Sequence, residues 1–283
     1  MRQRQSGRQV FWRAAVAATS NLAMVSGLYP LAPHLLRRFL RRAETLPSGA
    51  ARARGRLAAE WALAWAVSAT RPLGLLERPV WGRARGGRPV VLVHGYAMSR
   101  AYFLLLARRL ERAGCGPFYG FEYWTLGKVA SAAKRLGDYV DRLCDDHGVD
   151  QVDLIGHSMG GVVARYYAAL GGGAARVRRL VTIGSPHCGT EVSYFGVGRP
   201  VRELLPGSSL LERLAAAGLP DGSEALCIWS RGDALVWCEG QARLPGAREV
   251  VYDDLGHLSM LASRRVAAEV AGFLRAGEPR SAP

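Results

Sequence analysis

The chain has 283 residues, 49% of them apolar and 22% charged, enough to bury the core of one α/β domain with an extension or of two small domains. Its formal net charge of +15 is local in origin: residues 1–88 hold sixteen arginines against Glu44, Glu60 and Glu77, whereas the remainder carries 22 basic and 20 acidic side chains. Only Lys128 and Lys134 are lysines, and neither a zinc-ligand spacing nor a basic strand interleaved with aromatics occurs, which argues against a nucleic-acid partner. Cys115, Cys144, Cys188, Cys227 and Cys238 are odd in number and form no C-x-x-C pair. They read as small buried hydrophobes, and a Cys227–Cys238 bridge would require an oxidising compartment.

In chain order, the stretch 14–32 is uncharged, but Thr19, Ser20, Asn21 and Ser26 dilute it and Pro30 and Pro33 close it. Its length suits a membrane span of about 20 residues, while its apolarity is marginal. The leader with Arg2, Arg4, Arg8 and Arg13 suits a signal peptide, yet no small-x-small cleavage site follows. An arginine-rich run through Arg37, Arg42 and Arg56 leads into a second apolar patch, 57–70, with Trp61 and Trp65 one helical turn apart. That combination suits a helix lying at a headgroup surface. Two readings stand side by side: residues 1–88 lie on a membrane, or they pack as a helical extension on the rest of the chain. Inner-membrane association or a cytoplasmic location is favoured over secretion.

After the Gly86-Gly87-Arg88-Pro89 break, strands and helices alternate. Strands are expected at 89–93, 118–123, 152–155, 177–183, 225–229 and 249–252. Helices are expected at 101–113, with Leu104, Leu105 and Leu106 inward, and at 128–147, after Ser158, and at 258–274. Such alternation implies an α/β fold with a mostly parallel central sheet, covered by helices on both faces. The stretch 190–222 interrupts the rhythm with Gly, Pro and two apolar helical pieces. Leu204, Leu205, Leu210, Leu211 and Leu214 there either line a pocket under a lid or simply pack.

The chemistry centres on Gly156-His157-Ser158-Met159-Gly160, a G-x-S-x-G sequence placed between a buried strand and a helix. A serine hydroxyl needs a base, and the base needs an orienting carboxylate. Asp233 and His257 follow in the order Ser…Asp…His, each after a glycine just beyond a strand end, where open α/β sheets gather their sites. The N–H groups of Met159 and Tyr96 are the expected oxyanion donors. Asp253 and Asp254 could replace Asp233 as the acid or hold a cation, but their closeness to His257 in sequence favours solvated strand-end carboxylates. His94 reads as a turn-stabilising hydrogen bonder, His157 as a neighbour shaping the pocket, and His187 as structural. Cys188 has no basic partner in sequence and is expected to be inert.

Leu92-Val93-His94-Gly95-Tyr96, Ile155-Gly156-His157-Ser158-Met159-Gly160-Gly161, the block from Thr182 to Thr190 containing Gly184-Ser185-Pro186-His187-Cys188-Gly189, and Gly256-His257-Leu258 together resemble the bacterial triacylglycerol lipase/esterase branch of the α/β-hydrolase superfamily. Glu203-Leu204-Leu205-Pro206-Gly207-Ser208 resembles the lid-proximal region of such lipases. The resemblance covers about 89–275 and implies hydrolysis of carboxylic (acyl) esters at Ser158, Asp233 and His257 with no cofactor and a lipid or other acyl-ester substrate. Trp237-Cys238 stand where the family often shows a proline. No ligand set is matched for the structural calcium of some relatives. Alternatives are a thioesterase, phospholipase or lipid acyltransferase at a membrane, or a non-catalytic membrane-binding scaffold on the same fold.

Overall fold

The computed structural model describes residues 60, 63, 80–81, 88–236 and 239–276. The apolar stretch 14–32, the arginine-rich run, most of the 57–70 patch, the 86–87 break and the Cys227–Cys238 bridge therefore fall wholly or partly outside the described residues. No helix among the described residues is long and apolar enough to cross a membrane.

Seven strands form one sheet: β1 (Val80–Trp81), β2 (Val90–Val93), β3 (Phe118–Phe121), β4 (Val152–His157), β5 (Val177–Ile183), β6 (Glu224–Ser230) and β7 (Arg248–Tyr252). Their spatial order is β1-β3-β2-β4-β5-β6-β7. Only β1 runs antiparallel, pairing Val80 with Tyr119 and Trp81 with Phe118. The other neighbours are parallel, in register from Val91 opposite Leu154 to Trp229 opposite Val251. In β2, Val91 and Val93 enter one apolar cluster while Val90 and Leu92 enter the other. A strand buried on both faces has no polar side to show, so β2 reads as an unbroken apolar run.

Helices α1 (Leu104–Arg112), α2 (Val129–His147), α3 (Met159–Leu170) and α8 (Arg264–Arg275) supply those two layers. Helix α2 stops at Gly148, whose φ of 61° places it in the left-handed region where glycine carries no steric penalty. Its buried face, including Ala132, Leu136, Val140 and Leu143, packs with Val162, Val163 and Tyr167 of α3. Leu106, Ala107 and Leu110 of α1 pack on the opposite layer with Val266, Val270 and Leu274 of α8.

Two expectations change. A 3-10 turn, Arg100–Phe103, precedes α1, and Leu105 is 44% exposed rather than buried. Three consecutive helical residues fan across about 200°, so Leu104, Leu105 and Leu106 cannot all face one core. The closing helix is two helices, α7 (Ser259–Ala262) and α8, because extended Ser263 breaks the chain and its hydroxyl accepts the Val266 N–H. The insertion forms a 3-10 turn (Glu191–Phe195), α4 (Arg199–Glu203) and α5 (Ser209–Ala217). Leu204, Leu210, Leu211 and Leu214 are buried in the same cluster as α3, so these four pack into the core. A short helix α6 (Glu239–Ala242) lies between β6 and β7.

Candidate active site

The parallel strands deliver their C-terminal ends to one edge, and Ser158, Asp233 and His257 each follow such an end. Strand β4 ends at His157 and α3 begins at Met159, leaving Ser158 alone between them with φ 55° and ψ −130°. That conformation is costly for a side-chain-bearing residue and is kept only where the surroundings impose it. Ser158 N–H donates to Ile183 O at 2.9 Å, and Ser158 O accepts Gly161 N–H at 3.0 Å. A methyl on Gly160 would collide with the carbonyl oxygens of Val93 and His94, so the start of α3 can press against the end of β2 only with glycine there. A methyl on Gly95 would lie 2.9 Å from Ser158 Cβ, which sets the His94-Gly95-Tyr96 loop directly beside the serine.

Asp233 and His257 meet. His257 Nδ1 donates to Asp233 Oδ2 at 2.6 Å, and both side chains are buried. Asp233 Oδ1 accepts N–H groups from Leu235 at 2.7 Å and Val236 at 3.0 Å, so both carboxylate oxygens are fixed. Burial alone would push the His257 pKa down, but the adjacent Asp233 carboxylate outweighs it and the pKa lies above the usual 6.5. The bond at Nδ1 leaves Nε2 of the neutral ring as the free base. The two turns are latched together, since Ser230 Oγ donates to Leu255 O at 2.6 Å and Arg231 N–H to Tyr252 O at 2.7 Å.

His157 links the serine turn to the histidine turn. Its Nε2 donates to His257 O at 3.0 Å, with the two ring centroids 4.6 Å apart. Burial and then the nearby His257 hold its pKa well below the usual value, so it is neutral and carries its proton on Nε2. Among the described residues, the Ser158 hydroxyl makes no hydrogen bond to His257; the two are set near one another through His157.

The other side of the serine is braced by His94, which the sequence marked as a turn stabiliser, and by Glu122 and Tyr123, which the sequence did not single out. His94 Nε2 lies 3.0 Å from Glu122 Oε1, and its ring stacks on Tyr123 at 4.6 Å. Tyr123 Oη donates to His94 O at 2.7 Å, and Glu122 Oε2 accepts Arg100 N–H at 3.1 Å. Burial would raise the Glu122 pKa, yet the His94 ring and Arg100 bring it below the carboxylate norm. The available signal was a lone glutamate amid the aromatics of Phe118-Tyr119-Gly120-Phe121-Glu122-Tyr123. Tyr96 Oη donates to Val197 O at 2.6 Å and accepts Val197 N–H at 3.1 Å, tying this loop to the insertion.

The remaining candidates lie apart from the pair. Asp253 pairs with Arg231 at 2.8 Å and Asp254 with Arg265 at 2.5 Å, all well exposed. His187 Nε2 contacts Thr182 Oγ1 at 3.0 Å, and burial, then Arg165, drives its pKa to about 3. Cys188 is exposed. No group of three or more His, Cys, Asp or Glu suited to a metal ion occurs among the described residues.

A strained serine between a parallel strand and a helix, above a sheet of this order, defines an α/β-hydrolase fold, and residues 132–207 match the family model described as alpha/beta hydrolase fold. Over part of its length the chain is also similar in sequence to bacterial lipases. It is 42% identical over 117 residues to a triacylglycerol lipase of Pseudarthrobacter phenanthrenivorans, covering 38% of this chain and 35% of that one. Identity to a triacylglycerol lipase of Burkholderia plantarii is 42% over 117 residues, covering 38% and 32% of the two chains. The matched part thus spans about a third of these relatives' lengths. Among solved structures, the mature form of a Bacillus licheniformis lipase is similar in fold, with TM-score 0.60, 17% identity and coverage of 70% of this chain and 96% of that one.

Proposed function

We propose that the chain is a serine hydrolase that cleaves carboxylic esters through an acyl-enzyme. The observation that carries this is the buried Asp233–His257 pair, with Nε2 left as the base, its turn joined through His157 to the one where Ser158 is held at φ 55°. Ser158 Oγ would attack the acyl carbonyl while its proton passes to His257 Nε2. Asp233 would keep the ring oriented and stabilise the imidazolium. The N–H groups of Tyr96 and Met159 would receive the oxyanion, Met159 being the first residue of α3, whose N–H has no acceptor within the helix. Collapse of the tetrahedral intermediate would expel the alcohol, protonated by His257. Water would then repeat the sequence on the acyl-enzyme and release the acid.

Two observations support a lipid ester as substrate. Both sequence relatives are named as triacylglycerol lipases. Val197, hydrogen-bonded to Tyr96, is 70% exposed, with Tyr194 at 69% on the preceding turn and Trp124 at 54% on the loop whose Leu126 carbonyl accepts the Arg199 N–H. An apolar rim of this kind suits a substrate presented at an interface and favours membrane association over a freely diffusing enzyme.

A p-nitrophenyl ester series of increasing acyl length, assayed with and without micelles, tests this reading alongside fluorophosphonate labelling. Ser158→Ala is expected to abolish both turnover and labelling. Labelling that survives the substitution removes Ser158 as the nucleophile.

A further inference from the structure

Glu60 is one of two described residues between positions 60 and 79, and both it and Leu63 are helical. Its carboxylate lies against the outer side of the His257 turn. Oε2 accepts the Leu258 N–H at 2.7 Å and Oε1 accepts the Ser259 N–H at 2.8 Å, a two-pronged grip on the two residues after the histidine. A carboxylate that accepts two main-chain N–H groups is among the stronger hydrogen-bonded arrangements available to a protein. The contact also explains Gly256. A methyl there would lie 2.5 Å from Glu60 Cγ and Oε1, so the glycine before the histidine leaves the space into which the carboxylate inserts.

The same turn is held from inside by His157 Nε2, which donates to His257 O at 3.0 Å. Ser259 Oγ closes it further by accepting the Gly256 N–H at 2.8 Å. One helical turn beyond Glu60, Leu63 joins Tyr102, Leu105, Leu258 and Leu261 around a shallow apolar cavity of about 180 Å³. Glu60 therefore grips the chain immediately following His257, and Leu63 lines a cavity shared with Leu258 and Leu261 of that chain.

We infer that Glu60 is a positioning residue for the base of the proposed reaction, fixing the main chain of the His257 turn from outside. This rests on the hydrolase reading, and it gives Glu60 a part in the chemistry. Among the described residues, three titratable groups face His257: Asp233 after β6, His157 at the end of β4, and Glu60. Burial opposes the charged ring, Asp233 favours it most, and Glu60 adds in the same direction, while His157 stays neutral. Glu60 belongs to the set that places Nε2 without itself touching the substrate.

The test compares the full chain with Glu60→Gln and Glu60→Ala, with kcat expressed per fluorophosphonate-titrated site. Glu60→Ala is expected to lower kcat roughly 10- to 100-fold with little change in KM, the scale seen when a reacting group is slightly misplaced. Glu60→Gln, which keeps the size and one acceptor, is expected to fall between. In both variants the acid limb of the pH–rate profile moves to lower pH, because a negative charge that favoured imidazolium is gone. An NMR titration of the His257 ring in the same proteins should move the same way, and it reads the ring even where no ester is turned over. A drop in melting temperature with kcat per site, acid limb and ring titration all unmoved overturns the inference. If wild-type protein neither labels nor turns over any ester, the hydrolase reading falls, and the ring titration alone still decides whether Glu60 acts on His257.

Discussion

His157 and His257 are joined ring to main chain, with Nε2 of the first donating to the carbonyl of the second at 3.0 Å. His157→Phe keeps a ring of similar breadth and removes the donor, leaving that carbonyl buried without its partner. A stability loss of about 1–3 kcal/mol is expected from the orphaned acceptor. The fall in kcat should exceed any change in KM, since the base is displaced and the substrate pocket is not. Urea denaturation and steady-state kinetics on one preparation check both.

The pH dependence follows from the His257–Asp233 pair. Burial disfavours the imidazolium, Asp233 more than reverses that, and the pKa sits above 6.5. The proposed base must be neutral, so kcat/KM should begin to fall at a pH higher than an ordinary imidazole would dictate. Asp233→Asn removes the larger raising influence: the acid limb should move down while kcat falls by a factor on the order of 10⁴. Linkage gives the stability sign. A raised folded pKa stabilises the fold fully below the unfolded value, and the gain disappears as pH rises through the folded value.

Ser158 trades stability for geometry. At φ 55° and ψ −130° a serine is strained where glycine is not. Ser158→Gly is expected to stabilise the protein by about 1 kcal/mol, within the range of such backbone strain, while ending all turnover. Ser158→Ala keeps the Cβ and should end turnover without that gain. The difference in denaturation midpoint between the two variants isolates the strain.

Arg165 lies buried in α3 and spans to the insertion. Its Nη2 donates to Leu214 O in α5 at 2.8 Å and its Nη1 to His187 O at 3.4 Å. Arg165→Met fills similar space without the donors, so both carbonyls lose a charged partner. Such bonds contribute about 1.5–3 kcal/mol each at most, and a stability loss near the lower figure is expected because the buried cation's own desolvation is relieved. Hydrogen exchange should quicken first in 199–217.

What was legible in the sequence was what local pattern encodes. Gly156 and Gly160 mark the serine turn because the backbone crossing at Gly160 leaves no room for a side chain, and Asp233 and His257 were legible because each follows a glycine at a strand end. Apolar runs placed the six parallel strands to within a few residues. Leu105 was misplaced because a run of three leucines cannot report which of them the helical twist turns outward. Strand β1 went unnoticed because two residues, Val80 and Trp81, carry no period, and only pairing with β3 makes them a strand. Glu60 stands 198 residues from Leu258 and sits within the apolar patch 57–70, so nothing short-range announces the contact. Glu122 shows the same limit more mildly, since its partner His94 is brought to it by β2–β3 pairing alone.

Tyr96 both gives a hydrogen bond to Val197 and takes one from it. Because the same hydroxyl engages both the amide and the carbonyl of one residue, the insertion cannot slide or lift at that point without drawing the loop beside Ser158 with it. The start of α3, wedged against β2 at Gly160, has no such freedom. Movement of the insertion at Val197 would therefore be passed to the Tyr96 side against a fixed serine, so that substrate entry and the assembly of the proposed oxyanion site would be one mechanical event.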